Sequence, residues 1–312
     1  MTAFAFVFPG QGSQSVGMLD AWGDHPAVRQ TLAEASEALH EDIGALIQTG
    51  PKEALELTTN TQPVMLTAAM ACYRAWRAEG GAEPAAVAGH SLGEYSALVA
   101  AGALTLADAL PLVRFRAQAM QQAVPVGTGA MAAILGLDAA VVREVCAAVA
   151  AETAEVVEPA NFNDPKQTVI AGSKAGVDRA CEQLKAKGAK RALLLAVSAP
   201  FHSSLMKPAA DALRERLAGV ALVAPRIPVV NNIDVAVETD PAAIREALFR
   251  QAFGPVRWVE VTQALRARGL LHILECGPGK VLSGLVKRVD ADIQTTTVLD
   301  PASLKAALEM LA

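Results

Sequence analysis

The chain has 312 residues, 52% of them apolar, and a formal net charge of −5. That length and apolar content suit one large or two smaller packed α/β domains, and the acidic balance argues against general affinity for nucleic acid. No apolar run is long enough to span a bilayer. The four cysteines, Cys72, Cys146, Cys181 and Cys276, lie too far apart for metal-site spacing, so reduced, mostly buried thiols in a cytoplasmic protein are expected, with no metal.

The run Phe4-Ala5-Phe6-Val7-Phe8 has no basic segment before it and reads as a buried strand rather than a signal peptide. It leads into Pro9-Gly10-Gln11-Gly12-Ser13-Gln14. Ser15 stands where a dinucleotide fingerprint needs its third glycine, so a phosphate cradle of that type is not expected. A plain strand-to-helix turn fits, as does a loop lending backbone N–H groups to an active site. Helical patterns follow to about Leu57 and again from Pro63 to Ala78.

Ala85 to Ala88 reads as a strand and Tyr95 to Ala101 as a helix, and Gly89-His90-Ser91-Leu92-Gly93-Glu94 joins them. A serine between two glycines, after a strand and before a helix, is the requirement of a nucleophile elbow. The turn leaves little room beyond hydrogen at Gly89 and Gly93, and Ser91 stands at a helix N-terminus that favours negative charge. The spacing alone arises by chance in roughly one chain in ten of this length, and a serine that merely caps the helix has the same signature.

Thr105 to Asp108 reads as a cap opening a helix to about Ala123, with Pro111 bending it or marking its first turn. Val124-Pro125-Val126-Gly127-Thr128-Gly129 is a boundary. Beyond it come a strand at Ala130 to Leu135, a helix at Ala139 to Glu152, strands around Val156 and at Thr168 to Ala171, a helix at Ala175 to Lys187 and a strand at Arg191 to Val197. This β-α-β-β-α-β order is ferredoxin-like. Ile227 to Asn231 and Leu270 to Glu275 return to the main sheet. The expected architecture is therefore α/β, with an α/β-hydrolase-like large domain from residues 1–125 and 199–312 and an inserted ferredoxin-like small domain at 126–198.

Ser91 needs a base to take its proton. Among five histidines, His25 and His40 lie in polar helical stretches and read as surface residues. His272 sits in an apolar run and reads as a core residue, and His90 projects away across the turn. His202 follows a strand and the loop Ser198-Ala199-Pro200-Phe201, where a side chain can face a cleft. Asp108, Asp211 and Asp234 are each explained more simply by capping or exposure than as a third triad member. A backbone carbonyl serves as well, because the orienting group need only accept a hydrogen bond from the imidazole. Of Arg114 and Arg116, one must face inward. On the residues alone an internal salt bridge is the simpler account of it, and a carboxylate supplied by substrate is the alternative.

Phe8-Pro9-Gly10-Gln11-Gly12-Ser13-Gln14, the elbow through Tyr95, Arg114-Phe115-Arg116-Ala117-Gln118-Ala119-Met120 and Gly127-Thr128-Gly129-Ala130-Met131 occur in order. So do Asn161-Phe162-Asn163, Phe201-His202-Ser203, Asn231-Asn232 and Glu275-Cys276-Gly277-Pro278-Gly279-Lys280. Over essentially the whole chain this ordered set resembles the malonyl-CoA:acyl carrier protein transacylases, the free-standing bacterial acyltransferases of type II fatty-acid synthesis. The resemblance implies Ser91 as the nucleophile and His202 as general base and then acid, oriented by the backbone carbonyl of Gln251. It implies an oxyanion hole from the N–H groups of Gln11 and Leu92. Arg116 would grip the malonyl carboxylate, displacing the salt-bridge account, and Met120 and Phe201 would contact substrate.

The implied reaction transfers malonyl from malonyl-CoA to the phosphopantetheine thiol of acyl carrier protein in a ping-pong cycle, with no bound cofactor, nucleic acid or membrane. A malonyl transferase of a polyketide pathway and a serine thioesterase share the elbow, although a thioesterase has no need of Arg116. Acyl carrier proteins are acidic, so the run Lys185-Ala186-Lys187-Gly188-Ala189-Lys190-Arg191 with Lys280, Lys287 and Arg288 is an expected surface for transient, electrostatic docking. For any single lysine a solvated helix end is the simpler reading.

Overall fold

The computed structural model describes residues 2–312. Its strands, in chain order, are β1 (Phe4–Phe8), β2 (Ala86–Gly89), β3 (Gly129–Leu135), β4 (Val157–Asp164) and β5 (Gln167–Ser173). They continue with β6 (Arg191–Leu194), β7 (Val229–Val230), β8 (His272–Cys276) and β9 (Gln294–Val298). Two sheets result. One is five-stranded in the order β7-β2-β1-β8-β9, with every pair parallel. The other is four-stranded in the order β4-β5-β3-β6, with every pair antiparallel.

Side-chain alternation decides how the parallel sheet is covered. Phe4, Phe6 and Phe8 point to one face, joining Val87 and Leu274, whereas Ala5 and Val7 point to the other with Ala86, Ala88 and Ile273. All five residues of β1 are buried, as a central strand of a parallel sheet covered on both faces requires. The aromatic face receives the helix Thr58–Ala78, whose Trp76 meets Phe4 and Phe6 edge-on at 5.8 and 5.4 Å and donates its indole N–H to the Ala82 carbonyl at 2.9 Å. The smaller residues of the opposite face pack against Trp258, Val261 and Leu265 of the helix Trp258–Ala267.

Several boundaries differ from the expected ones for identifiable reasons. The helix expected to begin at Pro63 starts at Thr58 and carries Pro63 inside it. A proline this near a helix start forgoes only one ladder bond, and burial of almost the whole helix outweighs that loss. Thr105 caps the helix Leu106–Gln122 by accepting from the Asp108 N–H, and Pro111 lies within that helix. β7 shrinks to two residues because Pro228 has no N–H to extend the ladder. β6 stops at Leu194, since the Val197 N–H turns back onto the Leu195 carbonyl. The threonine-rich strand β9 and the helix Pro301–Leu311 have no expected counterpart. His272 is half-buried at the start of β8 rather than in the core, and His25 is likewise half-buried against Trp22.

The chain leaves β1 and β2 side by side, with Phe8 paired to Gly89, so the Pro9–Gln14 loop and the elbow emerge at the same carboxyl edge. That edge is where open parallel sheets place ligands. The crossing of elbow and helix is a backbone-on-backbone contact: a Cβ on Gly89 would lie 1.8 Å from the Gly93 carbonyl carbon, and one on Gly93 would lie 2.1 Å from the Phe8 oxygen. Neither neighbour is a flexible side chain. Gly89→Ala should therefore lower unfolding free energy by about 3 kcal/mol, read as a drop in the denaturation midpoint in urea. A loss under about 0.5 kcal/mol, the range of an ordinary surface change, would show that the elbow yields.

Candidate active site

Ser91 sits at φ 52°, in the left-handed region, where a residue other than glycine is held only by its surroundings. Asn232 provides the hold. Its Oδ1 accepts the Ser91 N–H at 2.7 Å and its Nδ2 donates to the Gly89 carbonyl at 2.7 Å. The helix that follows, Gly93–Ala100, has no side-chain cap, so Ser91 is not a capping serine. Its hydroxyl lies instead 2.6 Å from Nε2 of His202.

His202 also has a positive φ, 61°, in a loop stitched by the Ser203 hydroxyl donating to the Pro200 carbonyl at 2.7 Å. Its Nδ1 faces two main-chain oxygens, Gln251 at 3.0 Å and Gly254 at 3.1 Å. Carbonyl oxygens only accept, so Nδ1 carries the proton and Nε2 presents its lone pair to the Ser91 hydroxyl. No aspartate takes this place. Asp108 is exposed at its cap, Asp211 pairs with Lys207, and Asp234 pairs with Arg250. Burial, helped by the nearby Arg116 charge, pushes the imidazole down to about 3 against the two carbonyl bonds. His202 is therefore a neutral acceptor at ordinary pH. His90 does point away from the hydroxyl, with Nε2 on the Asn163 Oδ1 at 2.9 Å.

Arg114 and Arg116 divide as their spacing requires. Arg114 lies against Glu41 through two bonds of 2.8 and 2.7 Å. Arg116 is 2% exposed and touches no carboxylate among the described residues, so the internal salt bridge is absent. Its Nη1 donates to Gln62 Oε1 at 2.8 Å, and its Nη2 donates to Gln251 Oε1 at 3.1 Å and to the Ser91 hydroxyl at 3.3 Å. The Tyr95 ring lies 5.5 Å from the guanidinium carbon, within cation–π range. A buried cation with only neutral partners has the chemistry to pair with an anion brought into the cleft.

Ser91, His202 and Arg116 open into one cleft of about 410 Å³. Gln11 and Leu92 line it beside the hydroxyl, and Met120 and Phe201 supply apolar wall with Met131 and Val197. Gln11 Nε2 reaches the Thr58 hydroxyl at 3.2 Å, which meets the Ser198 hydroxyl at 3.0 Å. The first loop, the long helix and the loop before His202 are thereby tied at the cleft.

A model of the acyl transferase domain matches residues 5–300. The chain is 54% identical to malonyl CoA-acyl carrier protein transacylase of Escherichia coli strain K12, over 99% of this chain and 100% of that protein. The chain belongs to the malonyl-CoA:acyl carrier protein transacylases. Among solved structures, the acyl-carrier-protein S-malonyltransferase of Burkholderia pseudomallei 1710b is 68% identical with a TM-score of 0.97, covering 99% of this chain and all of that one. A malonyl-transacylase in complex with its type II PKS acyl-carrier protein is 51% identical, also with a TM-score of 0.97, over 99% of this chain and 100% of its own.

More residues of this transacylase are tied to the serine's surroundings than its motifs announce. Gln62 lies in a helix of unremarkable pattern, and no feature of its neighbours marks it. Asn232 stands in Asn231-Asn232 and Glu94 closes the elbow sequence, but their work depends on contacts across 138 positions of chain, where the Asn232 N–H donates to Glu94 Oε2 at 2.8 Å. Burial pushes the Glu94 carboxyl up to about 7, against bonds from Asn232 and Gln251 and the Arg116 charge.

An ordinary histidine is roughly three-quarters protonated at pH 6. With histidine ring nitrogens labelled by ¹⁵N, the His202 resonances of this transacylase should report the neutral Nδ1–H tautomer from pH 8 to 6 without titrating. A midpoint between 6 and 7 would show that the imidazole is neither desolvated nor held beside a charged Arg116.

Proposed function

We propose that Ser91 accepts malonyl from malonyl-CoA and passes it to the phosphopantetheine thiol of acyl carrier protein, supplying malonyl units for fatty-acid synthesis. The single observation that carries the site assignment is the Ser91 hydroxyl lying between His202 Nε2 at 2.6 Å and Arg116 Nη2 at 3.3 Å. One neighbour takes a proton; the other awaits a carboxylate. The relatives named as malonyl transacylases over the whole length support the substrate, and the neighbour solved with an acyl-carrier protein supports the acceptor.

In the first half-reaction Ser91 Oγ attacks the thioester carbon while its proton moves to His202 Nε2. Negative charge forms on the former carbonyl oxygen. The Gln11 and Leu92 N–H groups would receive it, and among the described residues neither donates to a main-chain or side-chain acceptor. Donors already aimed at the developing charge stabilise the transition state without reorganisation. The C–S bond then breaks, and His202 returns its proton to the departing thiolate. In the second half-reaction the phosphopantetheine thiol gives its proton to His202 and attacks the malonyl ester carbon; the bond to Ser91 Oγ then breaks, and His202 returns that proton to the serine oxygen. The Gln251 and Gly254 carbonyls keep His202 in the required tautomer throughout, and every proton is handled by residues of this chain, with no step for a cofactor.

We read Met120 and Phe201 as the apolar side of the acyl pocket. We also read residues 126–198 as a ferredoxin-like unit inserted into an α/β-hydrolase-like domain formed by 1–125 and 199–312. The order β4-β5-β3-β6 supports this, being that of a β-α-β-β-α-β unit, as does the segregation of all other strands into the parallel sheet. Lys185, Lys190, Arg191, Lys280 and Lys287 are exposed and in no ion pair among the described residues, and they support electrostatic docking of an acidic carrier. Arg288 is tied to Asp164 at 2.6 Å and serves that contact instead. Four unpaired, buried thiols support a cytoplasmic setting, and no helix among the described residues is long and apolar enough to cross a membrane.

Intact mass after incubation with malonyl-CoA should reveal a malonyl adduct that disappears on adding holo-carrier. Ser91→Ala should form none, and an adduct in that variant would move the nucleophile elsewhere. Arg116→Ala should lower kcat/KM for malonyl-CoA by roughly 10²-fold, the worth of a lost charge-assisted hydrogen-bond pair. Acetyl transfer, which has no carboxylate to lose, should change far less. Equal losses for the two substrates would remove Arg116 from carboxylate recognition.

A further inference from the structure

Gln251 does more than lend its main-chain oxygen to His202. Its side chain is wholly buried, with Oε1 accepting from Arg116 Nη2 at 3.1 Å and Nε2 donating to the Ser91 carbonyl at 3.0 Å and to Glu94 Oε2 at 3.1 Å. An amide has two faces, and only one orientation fits here. Reversed, its oxygen would confront the Ser91 carbonyl and the Glu94 carboxyl, and its NH₂ would confront a guanidinium that only donates.

Glu94 is the group that makes this orientation decisive. It is 2% exposed and touches no cation among the described residues, an arrangement that is unfavourable unless the carboxyl has fixed donors. Those donors are the Gln251 amide and the Asn232 N–H. Asn232 in turn clamps both sides of the elbow, at Gly89 and at Ser91. One carboxyl therefore reaches the nucleophile turn through Asn232 and the guanidinium through Gln251.

We propose that Glu94 is a positioning residue for malonyl selectivity: by fixing the Gln251 amide it aims Arg116 at the acyl pocket while leaving the guanidinium free of any direct carboxylate. A carboxylate touching Arg116 would occupy the face the substrate must take. Set one amide behind, Glu94 supplies orientation without competing for that face. This inference rests on the reading of Arg116 as the carboxylate anchor.

The test compares kcat/KM for malonyl-CoA and for acetyl-CoA, both transferred to holo-carrier, in the wild type and in Glu94→Gln, Glu94→Ala, Gln251→Met and Arg116→Ala. Glu94→Gln keeps an acceptor oxygen for the same donors, and its malonyl-to-acetyl ratio should stay within about 3-fold of wild type. Glu94→Ala and Gln251→Met should each lower that ratio by about 10-fold, the effect of a charge-assisted bond misdirected. The double variant Glu94→Ala with Gln251→Met should lower it no further than Gln251→Met alone, because the two lie on one path. An unchanged ratio in Glu94→Ala, or multiplied losses in the double variant, would overturn the proposal. Should Glu94→Ala not fold, Glu94→Asp withdraws the carboxyl by one methylene and carries the same test. Its ratio should fall at least about 3-fold, and an unchanged one overturns the proposal. Arg116→Ala separates the two levels. If it leaves the ratio intact, the anchor reading fails and this inference with it; if it lowers the ratio and the Glu94 variants do not, only the positioning role fails.

Discussion

A buried guanidinium without a carboxylate is the constraint around which this active site is arranged. Removing a cation from water is unfavourable by several kcal/mol unless the surroundings replace its hydration. Arg116 receives that replacement from Gln62 Oε1, Gln251 Oε1, the Ser91 hydroxyl and the Tyr95 ring. All are neutral. The arrangement keeps Arg116 ordered and charged while leaving unsatisfied the one preference that, in the proposed reaction, a substrate carboxylate meets. Its Nε, buried and without a partner among the described residues, shows how incomplete the protein's own solvation is.

Ser91, the proposed nucleophile, depends on the same neighbourhood through backbone sterics. Gly89 and Gly93 let two main chains cross where no Cβ fits, and the crossing throws Ser91 into a left-handed conformation. Such strain persists only where other contacts over-determine it, and Asn232 supplies two of them, to the Ser91 N–H and the Gly89 carbonyl. His202 is set on the same terms. Its backbone is also left-handed, and a pair of main-chain oxygens at the end of the helix Pro241–Phe253 accepts the hydrogen bond from its Nδ1–H. Substituting carbonyls for an aspartate removes a negative charge that would otherwise sit close to Arg116 and dull its attraction for an anion.

How much of this was legible in the chain follows from the range of the interactions. Phe4–Phe8 and the elbow are local patterns, and strand, turn and serine stand where alternation and glycine spacing place them. The inward turn of one arginine was equally local, a matter of helical periodicity. Whether that arginine met a carboxylate was not, because the answer lay with Gln62 and Gln251, 54 and 135 positions away. Residue pattern alone favoured a salt bridge, and only the resemblance favoured a substrate anchor. Likewise the missing aspartate was visible as an absence, but the Gly254 carbonyl that shares the His202 proton has no side chain to announce it. β9 escaped notice because a threonine-rich edge strand has little apolar alternation. Pro63 misled because a proline ordinarily marks a helix start, and here burial of the preceding turn overrides it.

The closeness of Arg116 and His202 links substrate choice to base strength. Burial first, and the Arg116 charge second, push His202 down to about 3, so in the free enzyme the imidazole is a weak base. In the proposed reaction a malonyl carboxylate seated on Arg116 cancels much of that charge at the moment when His202 must become an imidazolium. In that reading malonyl relieves the second of the causes that depress the base, smaller than burial, whereas an acetyl group leaves the guanidinium unpaired. Water entering an unacylated site meets the same weak base, and water reaching the malonyl-serine must compete in a cleft whose polar end is already filled by the ion pair. Discrimination then resides in the transition state as well as in binding, which is where an interaction must act to raise turnover rather than affinity alone.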